Sequence, residues 1–66
     1  MQILLNGHPH QCAEDTTLAE LLDQAGYAQR RVAVELNREI IPRSRHAQTA
    51  LAPNDQVEIV HAIGGG

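Results

Sequence analysis

The sequence has no lysine, no tryptophan and no phenylalanine, and Tyr27 is its one aromatic ring. A net charge of −3 with Tyr27 as the lone Phe, Trp or Tyr gives neither the electrostatic footprint nor the stacking surface of a typical nucleic-acid binder. Cysteine is equally scarce. Cys12 alone excludes an internal disulfide and any four-thiolate metal or iron–sulfur site, so a fold of this size must stand on aliphatic packing in a reducing compartment. There is no apolar run near the ~20 residues that span a bilayer, and no charged-then-apolar leader. A soluble, cytoplasmic protein is expected. At 66 residues the chain holds one small domain. Such a domain buries only about 60% of the surface its unfolded chain exposes, which leaves little room for a core and an enclosed cleft. A self-sufficient enzyme is not expected.

Local signals punctuate the chain clearly. Met1 to Asn6 alternates, with Met1, Ile3 and Leu5 on one face and Gln2 and Leu4 on the other. Asn6-Gly7 is a two-residue hairpin signal, and a return strand through about Ala13 follows, with Pro9 either placing that strand at a sheet edge or belonging to the turn. Thr17-Leu18-Ala19-Glu20 is a capping box, and Leu18, Leu21, Leu22 and Ala25 form one apolar stripe ended by Gly26. Val32 to Leu36 alternates as a strand. Asn37-Arg38-Glu39 turns the chain into a short strand at Ile40-Ile41-Pro42, and Arg43 to Leu51 reads as a loop with one helical turn. Pro53-Asn54-Asp55 turns again into a last strand from Gln56 to His61.

This order predicts a mixed sheet around one helix, with the last strand beside the first. The expected core is Ile3, Leu5, Leu18, Leu21, Leu22, Val32, Val34, Leu36, Ile40, Leu51, Val57 and Ile59. Three of the five glycines are the final three residues, directly after the last strand.

The opening Met-Gln-Ile-Leu-Leu-Asn-Gly, the Thr-Leu-Ala-Glu-Leu-Leu helix start, Val-Ala-Val-Glu-Leu-Asn at 32–37 and Ile-Pro-Arg-Ser at 41–44 stand in a familiar order. With Asn-Asp-Gln-Val-Glu-Ile-Val at 54–60 and the closing Ala-Ile-Gly-Gly-Gly, the whole chain resembles the ThiS family of ubiquitin-like sulfur carriers in thiamine thiazole synthesis. His46 departs from the pattern, which leads us to expect a bulky aromatic there. The resemblance implies an α+β, β-grasp (ubiquitin-like) fold: a mixed sheet of four to five strands on one main helix over residues 1–63, with a flexible diglycine tail at 64–66.

It also implies a function for that tail. The reactive group is the backbone carboxylate of Gly66, carried on Gly64 and Gly65. Three residues reach ~10 Å, enough to enter a recessed site on a partner. A ThiF-like adenylating enzyme would activate the carboxylate with ATP and Mg. A persulfide, the cysteine-desulfurase-derived sulfur donor, would then displace AMP, and the resulting thiocarboxylate would give its sulfur to a ThiG-like thiazole synthase. The chain has no phosphate-binding loop of its own, binds no cofactor on this reading and is a co-substrate, not an enzyme. A monomer is expected when free, with no nucleic acid and no membrane among its partners.

Leu4 and Val60, with Ala62 and Ile63, are the expected docking residues, as adjacent apolar positions on the open sheet face. The five arginines all lie within residues 30–45, a local excess of positive charge that serves as a solvated face or as a steering surface. His8, His10 and Cys12 alternate, but three positions on an edge strand read as ordinary surface residues and a small thiol, not as a metal site. Other diglycine carriers, including the small subunit of molybdopterin synthase, share these features. An inert ubiquitin-like binding module and ubiquitin-type conjugation stay open beside them.

Overall fold

The computed structural model describes residues 1–28 and 30–61; Gln29 and residues 62–66 lie outside the described residues. Five strands, β1 (Gln2–Leu5), β2 (His8–Gln11), β3 (Val32–Leu36), β4 (Glu39–Ile40) and β5 (Gln56–His61), accompany one α-helix, α1 (Leu18–Gln24), and a 3-10 helix (Arg43–Gln48). The sheet order is β2-β1-β5-β3-β4, with β1 and β5 parallel and the other neighbours antiparallel. The expected α+β architecture of a mixed sheet on one helix is therefore present, and the last strand lies at its centre.

Each element follows from local chemistry. Asn6 (φ 50°) and Gly7 (φ 82°) form a type I′ turn, whose twist matches the strands it joins. Leu5 and His8 close that turn, so Leu4 and Pro9 form the next, non-hydrogen-bonded pair, and the missing N–H of Pro9 faces the outer edge of the sheet. β2 stops at Gln11, two residues short of the expected end.

At α1 both arms of the capping box are made: the Thr17 hydroxyl accepts from Glu20 N–H at 3.2 Å, and Thr17 N–H donates to Glu20 Oε1 at 2.9 Å. At the other end Gly26 takes φ 88°, its N–H bonds the Asp23 carbonyl, and Tyr27 N–H bonds the Leu22 carbonyl at 2.7 Å. This pair of bonds is a Schellman stop, which returns Tyr27 onto the core.

The core comprises Ile3, Leu18, Leu21, Leu22, Val34, Leu51, Val57 and Ile59, with Leu5, Val32 and Leu36 half-buried against it. Full burial of each such side chain is worth about 1.5–3 kcal/mol, so these few residues supply most of the driving force.

Ile40 does not join them. It is 66% exposed, and Ile41 packs against the core instead. The cause is turn length: Asn37 (φ 51°) and Arg38 (φ 71°) make a two-residue turn, so Glu39 already pairs with Leu36. Ile40 then falls opposite Glu35 on the outer face, and Ile41 N–H bonds Val34. A three-residue turn would have placed Ile40 inside, because a one-residue slip exchanges the faces of a strand. The single helical turn expected in the loop after Pro42 is a six-residue 3-10 helix.

Candidate functional site

The part of the molecule that presents the C-terminal arm is the far end of β5. β5 lies between β1 and β3, and because it runs parallel to β1 it leaves the sheet at the end where Asn6 and Gly7 turn. Pairing with β3 continues through Val32 and His61, but the ladder with β1 ends at Leu5 and Val57. The backbone N–H of Asn6 still donates to the Val57 carbonyl at 2.8 Å, and then the chain turns away.

The next rung is made by a side chain. Asn6 Oδ1 accepts from Ile59 N–H at 2.7 Å, standing in for the main-chain carbonyl that the turn has removed. The start of β5 is held in a related way: Asn37 Oδ1 accepts from Gln56 N–H at 2.9 Å, and Asn37 Nδ2 donates to Asp55 Oδ1 at 3.1 Å. Asp55 in turn accepts from Ala52 N–H at 2.8 Å, fixing the turn that precedes the strand. The Asn-Gly dipeptide signalled the first turn, but nothing local announced that its carboxamide bonds a residue 53 positions away.

Gly64, Gly65 and Gly66, with Ala62 and Ile63, lie outside the described residues. Leu4 and Val60 share the outer face, but they are not neighbours. Leu4 lies beside Gln56 and Pro9, whereas Val60 lies beside Ala33. Four residues of strand, ~13 Å, separate the two levels, so the contiguous Leu4–Val60 patch is corrected to two separate positions. Val60 is 49% exposed and Leu4 is half-buried. The parallel register of β1 on β5 causes the separation, and no local pattern encodes it.

His8 and His10 pair with Leu5 and Ile3 on the edge strand, and Cys12 packs half-buried against the core. Among the described residues no three His, Cys, Asp or Glu side chains come together to hold a metal. Cys12 is bonded through its backbone to Met1, at the opposite end of the sheet from His61. The depressions described on the surface are shallow: the groove beside His46, lined by Ala19, Leu22, Ala28, Arg43, His46 and Ala47, is about 200 Å³, and the one at Arg45, Gln48 and Thr49 about 270 Å³, both below the ~300–1,000 Å³ of small-molecule sites. His46 itself is buried, and its Nε2–H donates to the Ile41 carbonyl at 2.9 Å. Among the described residues no helix is long and apolar enough to cross a membrane.

The sequence pattern of the ThiS family matches residues 3–66. The chain is 46% identical over 66 residues to a thiazole synthase of Magnetococcus marinus, covering all of this chain and 20% of that protein. It thus spans about a fifth of the thiazole synthases that it matches, a second being that of Paramagnetospirillum magneticum at 42% identity. The sulfur carrier protein ThiS of Escherichia coli is 39% identical, with both chains covered in full. Among solved structures, the crystal structure of a ThiS thiamine biosynthesis protein from Geobacter metallireducens superposes with a TM-score of 0.87 at 36% identity, again over the full length of both chains.

Proposed function

Because the chain belongs to the ThiS family, we propose that it is a sulfur carrier for thiamine biosynthesis, bearing sulfur as a thiocarboxylate on Gly66. The observation that carries this reading is the family match running through residue 66, on a chain whose β-grasp body superposes on a solved ThiS structure. Among its described residues the body has no cavity suited to catalysis, and its central strand ends at His61, three positions before the first of the final glycines in the sequence.

The chemistry follows from the electronic state of a carboxylate, which at neutral pH is anionic and a poor electrophile. A ThiF-like partner couples it to the α-phosphorus of Mg-ATP, releasing pyrophosphate and leaving an acyl-adenylate. A persulfide attacks that carbonyl, AMP departs, and an acyl disulfide remains. A thiol reductant supplies two electrons to cleave its S–S bond, leaving the thiocarboxylate on Gly66. That soft sulfur nucleophile then attacks a carbonyl-derived intermediate in the thiazole synthase. ATP and Mg belong to the partner, and this chain is a cytoplasmic co-substrate and not a catalyst. Val60, Ala62 and Ile63 dock beside the arm, and Leu4 contacts the partner at a distance from them.

Intact mass is the test. The chain is incubated with the adenylating enzyme, Mg-ATP and a sulfur source, and the expected result is the mass gain of one oxygen-to-sulfur exchange. Deleting Gly66 abolishes it. An unchanged mass beside an active enzyme identifies an inert module, and transfer to thiazole synthase, not to a molybdopterin precursor, fixes the pathway.

A further inference from the structure

We propose that Asn6 is the residue that positions the C-terminal arm, by holding β5 to the sheet beyond the point where β1 ends. The inference deepens the carrier reading and rests on it. Its starting point is the mismatch between two strand lengths: β5 continues to His61, while its parallel ladder with β1 ends at Val57. From Ile59 onward, β5 is flanked on that side by a turn instead of a strand. A lone antiparallel partner leaves the end of a strand free to fray, and every residue that frays moves the last anchored point of the chain further from Gly66.

The Asn6 side chain closes this gap with its 2.7 Å bond to Ile59 N–H. Asparagine meets two requirements at once. It tolerates the left-handed φ of 50° that the turn imposes, and its carboxamide oxygen replaces the main-chain acceptor. Glycine satisfies only the first requirement and aspartate satisfies both. A shorter and better-anchored arm loses less conformational entropy when a partner's site immobilises it, so the contribution appears in binding and not in the chemical step.

The test compares Asn6→Gly, Asn6→Asp and Asn37→Gly. Amide hydrogen exchange at Ile59 and the KM and kcat for adenylation of Gly66 are measured well below the melting temperature. Losing one hydrogen bond of this kind changes an equilibrium by roughly 3- to 10-fold. In Asn6→Gly, Ile59 exchange and KM are expected to rise by about that factor, with kcat unchanged. Asn6→Asp restores both. Asn37→Gly, which removes carboxamide bonds at the other end of the same strand, lowers Tm and leaves KM as it was.

Wild-type exchange at Ile59 in Asn6→Gly would falsify the assignment, as would an equal rise of KM in Asn37→Gly. The exchange measurement needs no partner enzyme. A chain that is never adenylated therefore removes the carrier reading, while Ile59 exchange still decides whether Asn6 anchors the strand.

Discussion

The hairpin of β1 and β2 turns on Asn6 and Gly7, and that of β3 and β4 on Asn37 and Arg38, all four with positive φ between 50° and 82°. Both turns spend an asparagine carboxamide on β5, one on Ile59 N–H near its exit and the other on Gln56 N–H at its start. The hairpins differ in what completes them. The first has two four-residue strands and adds Ile3 to the core, so most of its order comes from its own ladder and packing. The second returns through a two-residue β4, too short to hold itself. Its continuation depends on Ile41, which bonds Val34 through its N–H and His46 through its carbonyl. One hairpin is thus stabilised from within, and the other is held by a side chain from the following 3-10 helix.

The comparison breaks most visibly at His46. His46→Ala removes the donor to the Ile41 carbonyl and empties a buried position beside Leu22. Leaving the part-buried Ile41 carbonyl without its donor costs about 1 kcal/mol, and the packing lost at the buried His46 position adds to it. The expected outcome is a loss of roughly 2–3 kcal/mol in urea unfolding, or a drop of about 10–20 °C in Tm. Exchange should quicken most at Ile41 N–H and little in the first hairpin. Uniform quickening in both hairpins would show that β4 does not depend on this contact.

A smaller effect separates Ile40 from Ile41. Ile41→Thr puts a hydroxyl against the core and should cost about 1–2 kcal/mol, whereas Ile40→Thr, at a position 66% exposed, should change stability by less than about 0.5 kcal/mol. Thermal melts of the two variants check the register directly. If the costs were reversed, the turn would have three residues.

These two hairpins also mark how far the sequence was legible. Asn6-Gly7, the Thr17–Glu20 capping box and Gly26 each announce their structure through the chemistry of adjacent residues, and turn, cap and stop formed as expected, whereas Pro9 fitted either a turn or an edge strand and β2 ended early at Gln11. Arg38 carries no comparable signal for positive φ, and Ile40 and Ile41 are both apolar, so periodicity alone fits either register. The separation of Leu4 from Val60 and the reach of Asn6 to Ile59 depend on how β1 and β5 align, across more than 50 residues. His46 stood out as a departure from the aromatic expected of the family. Its burial and its bond to Ile41 became visible only once the 3-10 helix was placed against β4. The role of the glycine tail came from the whole-chain resemblance and not from its own pattern, and residues 62–66 lie outside the described residues.

The smallest expected effect comes from the outer face of the second hairpin, and it has the opposite sign. Its register sets Glu35 directly opposite Glu58, with Ile40 on the other flank of Glu35. The outer-face positions beside the pair along β3 and β5 are Ala33, Asn37, Gln56 and Val60, none of them basic. Like charges facing each other across two strands destabilise the pairing, and opposite charges favour it. Glu58→Arg should therefore stabilise the domain. Because Glu58 is solvent-exposed, the gain is about 0.5 kcal/mol, or roughly 2–4 °C in Tm. The gain should shrink as salt is added, since screening weakens exposed pairs first. A one-residue slip of β3 would turn Glu35 toward the core and remove the pairing, so a salt-sensitive gain reports the register itself. A variant whose Tm equals the wild type at low salt would mean that the two side chains do not meet across β3 and β5.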